Sequence, residues 1–255
     1  MIGFDAPIGP PSQLALPPLP SGARLSIQAP GMALGVGGKL WPAASTLCRF
    51  LRDEEINGKT LLELGCGTGA VGLYAAALGA QEVLLTDGGG DVLLRVAQQN
   101  VELNRALLRS STVNVAAHDW GDTQSHLPVP VGLDLVVGAD LTYARNSHVA
   151  LCCSIRWIID EWSPRVILAH EHRRMPLASA GDGNSGSAAE GDDAGLANFR
   201  QVADDAGLRV TTLLTESSEG ATKRADDTWP DLLLVRGQAI SLLEIVAADR
   251  DRLVA

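Results

Sequence analysis

The sequence predicts a single α/β domain: a seven-stranded, mostly parallel sheet with helices on both faces and an antiparallel hairpin at one edge. Three observations carry this prediction. Short apolar runs of strand length alternate with amphipathic runs of helix length from residue 60 to about 206. One such run, 133–139, is apolar almost throughout, as expected of a strand covered on both faces. Two further runs, 209–214 and 232–236, follow each other with no helix between them, which suits a hairpin. Alternating strands and helices imply a parallel sheet joined by right-handed crossovers.

In chain order, residues 1–23 are proline-rich and aperiodic and read as a disordered tail ahead of a domain spanning 24–255. Residues 24–28 alternate and predict a short strand. A glycine-rich stretch, 31–38, precedes Leu40-Trp41-Pro42-Ala43-Ala44, which opens an apolar helix to about Leu51. Pro42 suits the first helical turn, where its missing N–H costs nothing. Strands follow at 60–63, 82–86 and 112–116, with helices at 70–78, closed by Gly79, and at 91–104. The strand at 133–139 leads to a helix at 148–160 and a strand at 166–169. Residues 178–194, rich in Gly, Ser, Ala and Asp, read as a flexible insertion. A helix at 197–206 and the two hairpin strands precede 239–253, whose amphipathic pattern predicts a terminal helix.

The formal net charge is −10 over 255 residues, which argues against a nucleic-acid backbone as partner and suits a cationic ligand or a lysine-rich protein segment. No apolar run reaches the ~18 residues of a membrane helix, and the N-terminus lacks a secretory signal's basic start and apolar core. The four cysteines show no CxxC spacing. Reduced thiols in the cytoplasm or nucleus, without a membrane partner and as a monomer, are the expectation.

The stretch Glu63-Leu64-Gly65-Cys66-Gly67-Thr68-Gly69 reads as a strand end, a glycine turn and a helix start, suited to close contact with an adenosine ligand. Two readings compete. The run from Gly67 to Gly72 fits G-x-G-x-x-G, and Asp87 lies near the distance expected of a ribose-binding acid, which suits NAD or FAD. Three features favour S-adenosyl-L-methionine instead. Glu63 at the mouth of the loop would repel a pyrophosphate but attract an ammonium or sulfonium. Asp119 and Trp120 after the third strand can bond and cover an adenine. The edge hairpin departs from the two-fold dinucleotide fold.

With these residues in place, the chain resembles the seven-β-strand, Rossmann-like S-adenosylmethionine-dependent methyltransferases. Gly38-Lys39-Leu40-Trp41-Pro42-Ala43-Ala44, Thr86-Asp87-Gly88, Asp119-Trp120 and Gly138-Ala139-Asp140-Leu141-Thr142-Tyr143 resemble the intracellular protein-lysine methyltransferase group, whose members modify chaperones, elongation factors and calmodulin. The resemblance implies that Trp41 closes over the cofactor and that Gly65, Cys66 and Gly67 approach its methionine portion. It implies that Asp87 bonds the ribose, that Asp119 and Trp120 meet the adenine and that Ala139 lines the cofactor. Asp140 and Tyr143 would face the incoming lysine, Asp140 drawing it in by charge and Tyr143 orienting the amine. A small-molecule methyltransferase and a non-catalytic S-adenosylmethionine-binding adaptor stand as alternatives. The triple Gly88-Gly89-Gly90 departs from the family pattern and implies a loose turn after Asp87. His170-Glu171-His172 has the alternation of a metal-binding pair, but no third ligand is evident, so a polar strand end is expected and no metal. Cys66 reads as a small packing residue, and Trp157 and Trp162 as core.

Overall fold

Thr60–Glu63 forms β1, the strand from which the sheet grows to both sides. Its side chains alternate across the sheet, Leu61 entering one core and Leu62 the other. The structure, a computed structural model, describes residues 16–108, 111–123, 127–173, 193–217 and 239–248. After α1 (Pro42–Asp53) and β1 come α2 (Ala70–Leu78), β2 (Glu82–Asp87), α3 (Gly90–Asn104), β3 (Thr112–Ala117), β4 (Leu135–Ala139), α4 (His148–Trp162), β5 (Arg165–Glu171), α5 (Ala194–Asp205), β6 (Leu208–Ser217) and β7 (Ala239–Ala247). The seven strands lie in the order β3-β2-β1-β4-β5-β7-β6. The first five are parallel; β7 runs antiparallel to both β5 and β6. α1, α2 and α3 cover one face and α4 and α5 the other. No described helix is long and apolar enough to cross a membrane.

Two elements differ from the sequence expectation. The predicted terminal helix at 239–253 is instead the strand β7 over its described part, Ala239–Ala247. Ile240 and Leu242 enter the α1–α3 core, and Leu243 and Ile245 the α4–α5 core. A strand buried on both faces carries apolar residues at spacings of both two and three, so periodicity alone reads it as a helix; the β-branched Ile240, Ile245 and Val246 were the opposing signal. The antiparallel edge is therefore made by β7 inserted between β5 and β6. The predicted strand at 232–236 lies outside the described residues, as does 178–192 of the predicted insertion.

Residues 24–28 join no strand. Their backbone is held by two side-chain amides one helical turn apart on α3. Asn104 accepts from Ser26 N and donates to Ser26 O, both at 2.8 Å. Asn100 accepts from Gln28 N at 2.8 Å and donates to Gln28 O and to Thr68 O. Within the expected tail, Leu16 and Leu19 are buried and Tyr74 Oη donates to Pro18 O at 3.0 Å; residues 1–15 lie outside the described part. Asn100 ties the N-terminal segment to the glycine loop through Thr68. Asn100→Ala, which removes three hydrogen bonds to backbone groups, two at exposed Gln28 and one at buried Thr68, is expected to cost about 2 kcal/mol. That is a fall of roughly 4–8 °C in melting temperature by calorimetry for a chain of this size.

Candidate functional site

The carboxyl ends of β1, β2 and β4 meet where the strand order reverses, the position at which open α/β sheets bind ligands. A cavity of about 410 Å3 opens there, within the range of small-molecule sites. Trp41, Glu63, Gly65, Cys66, Gly67, Asp87, Asp119, Trp120, Ala139, Asp140 and Tyr143 all line it. The structure thus brings these candidates read from the sequence to one place, from five separate segments of chain.

The floor is the loop between β1 and α2. Gly65 and Gly67 have φ of +56° and +52°, a region that favours glycine. A Cβ at Gly65 would lie 2.6 Å from Leu141 Cδ2, and one at Gly67 would lie 2.6 Å from Gly37 O. The glycines therefore admit protein as well as ligand: the 31–38 segment, two short 3-10 turns, rests directly on the loop. That segment ends in Trp41, whose Nε1 donates to Val36 O at 2.9 Å and whose ring carries Lys39 Nζ 4.4 Å from its centre. Pro42 at the first position of α1 fixes where Trp41 stands.

Two carboxylates take the loop's N–H groups. Glu63 is buried and accepts from Gly72 N, inside the first turn of α2, at 2.7 Å. Burial pushes its carboxyl up to about 8, against the pull of that hydrogen bond. Asp87, at the end of β2, accepts from Gly67 N at 2.8 Å through Oδ2 and from Gly89 N at 2.7 Å through Oδ1. Its turn is not loose, contrary to the expectation from three glycines. A Cβ at Gly88 would meet Asp119 Oδ1 at 2.5 Å, and one at Gly89 would meet Leu93 Cδ2 at 2.6 Å. The glycines there let two segments close on one another. Cys66 is buried and its thiol is pushed far up by that burial, unsuited to act as a nucleophile.

On the far wall stand Asp119, exposed, and Trp120, half-buried. Beside them is His118, which the sequence reading passed over. It is buried, its Nε2 is hydrogen-bonded to Ser154 Oγ at 3.1 Å, and its Nδ1 has no partner among the described residues. Trp157 and Trp162 pack edge to face at 5.2 Å between ring centres, in the second core.

At the mouth, Asp140 follows β4 with φ +59°, uncommon for a residue with a side chain. Its carboxylate is buried and does not stand open for an incoming cation. Arg173 grips it with both terminal nitrogens, Nη1 on Oδ1 at 2.9 Å and Nη2 on Oδ2. The guanidinium lies 5.5 Å from the ring centre of Tyr143 and 5.9 Å from that of Trp41. Arg173 lies 33 residues beyond Asp140, next to a stretch read as loop, and nothing local in the sequence marked it. Burial raises the Asp140 carboxyl in spite of this partner. Tyr143 is 41% exposed, so packing under α4 does not explain it.

His170 and His172 lie just beyond this clamp, their rings edge to face at 4.9 Å, and Asp193 comes to 3.1 Å from His170 Nε2.

The chemistry of the cavity is acidic and aromatic, with donors at the loop already used by protein carboxylates. Comparison with known proteins agrees. The model of a family described as lysine methyltransferase matches residues 21–179. A Danio rerio protein N-lysine methyltransferase METTL21A is 37% identical over 130 residues, covering 50% of this chain and 58% of its own. A Mus musculus EEF1A lysine methyltransferase 3 is 38% identical over 138 residues, covering 53% and 56%. The chain thus spans a little over half the length of these relatives. Among solved structures, SMU.776 complexed with SAH is 14% identical with a TM-score of 0.51, covering 80% of this chain and 50% of its own, a likeness of fold alone.

Proposed function

This chain belongs to the lysine methyltransferase family, and from that premise we propose that it transfers a methyl group from S-adenosyl-L-methionine to the amine of a lysine presented by a protein. The observation that carries the reading is that Glu63 and Asp87 occupy the N–H groups of Gly72 and Gly67. A dinucleotide's pyrophosphate needs such donors at a helix start. With those donors taken by acids a pyrophosphate lacks its partners there, and Glu63, which ionises as a cation binds, suits a ligand that bears an ammonium and a sulfonium.

The residues present fit that ligand. Gly65, Cys66 and Gly67 line the cavity where the methionine portion would lie, with Glu63 close by for its ammonium. Asp87 keeps lone pairs for the ribose hydroxyls beyond the two it gives to Gly67 and Gly89. Trp120 would cover the adenine, with Asp119 as a polar contact beside it. Ala139 lines the floor and Trp41 closes the top. When bound, S-adenosyl-L-methionine supplies an electrophilic methyl carbon on a sulfonium. The chain's own work is alignment and exclusion of water. A lysine amine, protonated in water up to about pH 10.4, must arrive neutral. The rings of Trp41 and Tyr143 shield it from water, and the Arg173 guanidinium beside both rings repels its protonated form; both effects lower that value. The Tyr143 hydroxyl orients its lone pair. Asp140, ion-paired with Arg173, fixes the loop on which Tyr143 stands.

The name of one relative, EEF1A lysine methyltransferase 3, directs the first substrate trial to elongation factor 1A. The protein, incubated with tritiated S-adenosyl-L-methionine and elongation factor 1A or a methylation-deficient lysate, should yield labelled methyl-lysine in the acid hydrolysate of a protein band. Label confined to small molecules would favour the small-molecule alternative. Titration showing NAD binding without S-adenosyl-L-methionine binding would overturn the cofactor assignment.

The Glu63 carboxyl makes binding pH-dependent. A cationic ligand favours the ionised form, so its binding releases a proton wherever the free protein holds Glu63 neutral, below about pH 8. Affinity for S-adenosyl-L-methionine should therefore rise from pH 6.5 toward 8, by up to about tenfold per unit, and level off above. Calorimetry in two buffers of different ionisation heat measures the released proton. Glu63→Gln should flatten the profile; an unchanged slope in that variant would assign the proton elsewhere.

A further inference from the structure

We infer that His170, His172 and Asp193 form a binding site for a divalent transition-metal cation of the zinc type, at the end of β5 beside the mouth of the cavity. One nitrogen or oxygen of each residue lies within 4.8 Å of those of the other two. The sequence offered only the H-x-H pair. The third group comes from Asp193, the residue that caps α5 and lies 23 positions beyond His170.

What distinguishes this cluster is that the far side of each residue is already held. His170 Nδ1 is hydrogen-bonded to Thr142 Oγ1, which turns Nε2 toward Asp193. His172 Nε2 is hydrogen-bonded to Ser241 Oγ at 2.7 Å, which assigns Nδ1 as its ligand atom. Asp193 Oδ1 accepts from Gly195 N at 2.7 Å and Leu196 N at 3.3 Å, leaving Oδ2 for the site. Metal-binding imidazoles and carboxylates are oriented by such outer partners, which fix the tautomer and the ring plane.

Two imidazoles and one carboxylate suit zinc or cobalt and not magnesium or calcium, which prefer oxygen. Three protein ligands leave the fourth tetrahedral position to water. Tetrahedral bonds of about 2.1 Å place ligand atoms about 3.4 Å apart. His170 and Asp193 already stand at 3.1 Å, so the site closes by rotation of His172. As the cation enters, the ring proton of His170 passes from Nε2 to Nδ1, where Thr142 Oγ1 turns to accept it, so the imidazole stays neutral and Nε2 is left as a donor to the metal. Asp193 Oδ2 also accepts from Arg173 N at 2.6 Å. An occupied site therefore tethers the residue that grips Asp140, and ties β5 and α5 together at the cavity mouth. The site stands on its own geometry, whatever acceptor the cavity serves.

The test uses the full chain, stripped with EDTA and titrated with Co2+ while the visible d–d bands are recorded, followed by Zn2+ displacement and Zn2+ calorimetry. One equivalent per chain is expected, with intense bands of low-coordinate Co2+ and no response to Mg2+. His172→Ala should weaken Zn2+ binding by about 100-fold. His172→Gln gives the same readout should the alanine variant fold poorly. Ser241→Ala, which frees the His172 ring, should weaken binding about tenfold. Cys153→Ser, at the exposed cysteine, should bind as the parent does. Absence of binding by the parent protein, affinity unchanged in His172→Ala and His172→Gln, or loss of binding in Cys153→Ser would each overturn the assignment.

Discussion

Asp140→Asn is expected to lower methyl transfer by about 100-fold while leaving the dissociation constant for S-adenosyl-L-methionine within about threefold. The substitution keeps the shape of the side chain, and asparagine tolerates the positive φ of +59° at this position. What it removes is charge. Arg173 loses its bidentate partner and moves away from Trp41 and Tyr143, and the 140–143 loop loses its anchor at the mouth. Misplacement of an aligning group by about 1 Å costs about 100-fold in rate, whereas the cofactor contacts assigned to Gly65, Asp87 and Trp120 remain. Arg173→Met should match the effect from the other side. The double variant is decisive: if the pair acts as a unit, it should lose no more than either single change. Additive losses would show that Asp140 acts on the acceptor directly, as its place in the sequence motif first implied. Stopped-time assays of turnover together with calorimetry of cofactor binding separate the two effects.

The Asp140–Arg173 pair marks the boundary of what a sequence can carry. Residues that work through their own backbone, or through neighbours near in sequence, were legible. Gly65 and Gly67 of the β1–α2 loop, Asp87 at a strand end and Trp41 ahead of Pro42 each sit where local rules place them, and all reach the cavity. Residues whose meaning depends on a distant partner were not. Arg173 is defined by Asp140, 33 positions away, and Asn100 by Gln28, 72 positions away. Asp193 acquires its neighbours from folding alone. His118 was hidden for another reason: a histidine after an edge strand reads as surface, but here α4 lies against it, with Ser154 bonded to its ring and Trp157 6.2 Å from it between ring centres. β7 was misread because burial on both faces erases the alternation that identifies a strand, and its place between β5 and β6 is set by the sheet rather than by its own residues. The fold class survived these errors because the alternation from β1 to β5 decides it.

Gly67→Ala should be the most damaging single methyl group in the site, at about 3 kcal/mol of stability and at least about tenfold in cofactor affinity. Two costs add. A side chain at φ +52° pays roughly 1–2 kcal/mol for the left-handed backbone. The new Cβ also falls 2.6 Å from Gly37 O, a backbone atom that cannot rotate aside. Relief requires lifting the 31–38 segment from the loop, and that segment carries Val36, whose carbonyl holds Trp41 in place. Stability and binding should therefore fall together, with a loss of roughly 6–12 °C in melting temperature for a chain of this size. Gly90→Ala is the matched control. Its φ of +79° is as unfavourable, but nothing lies within 4 Å of the added carbon. It should lose the backbone cost alone, about 1 kcal/mol, with cofactor affinity unchanged. Equal effects in the two variants, by thermal unfolding and calorimetry, would mean that backbone strain and not close approach explains the glycine at 67. A larger loss at Gly67 would establish that the loop serves first as the seat of the chain's own N-terminal segment, and through it as the floor of the ligand cavity.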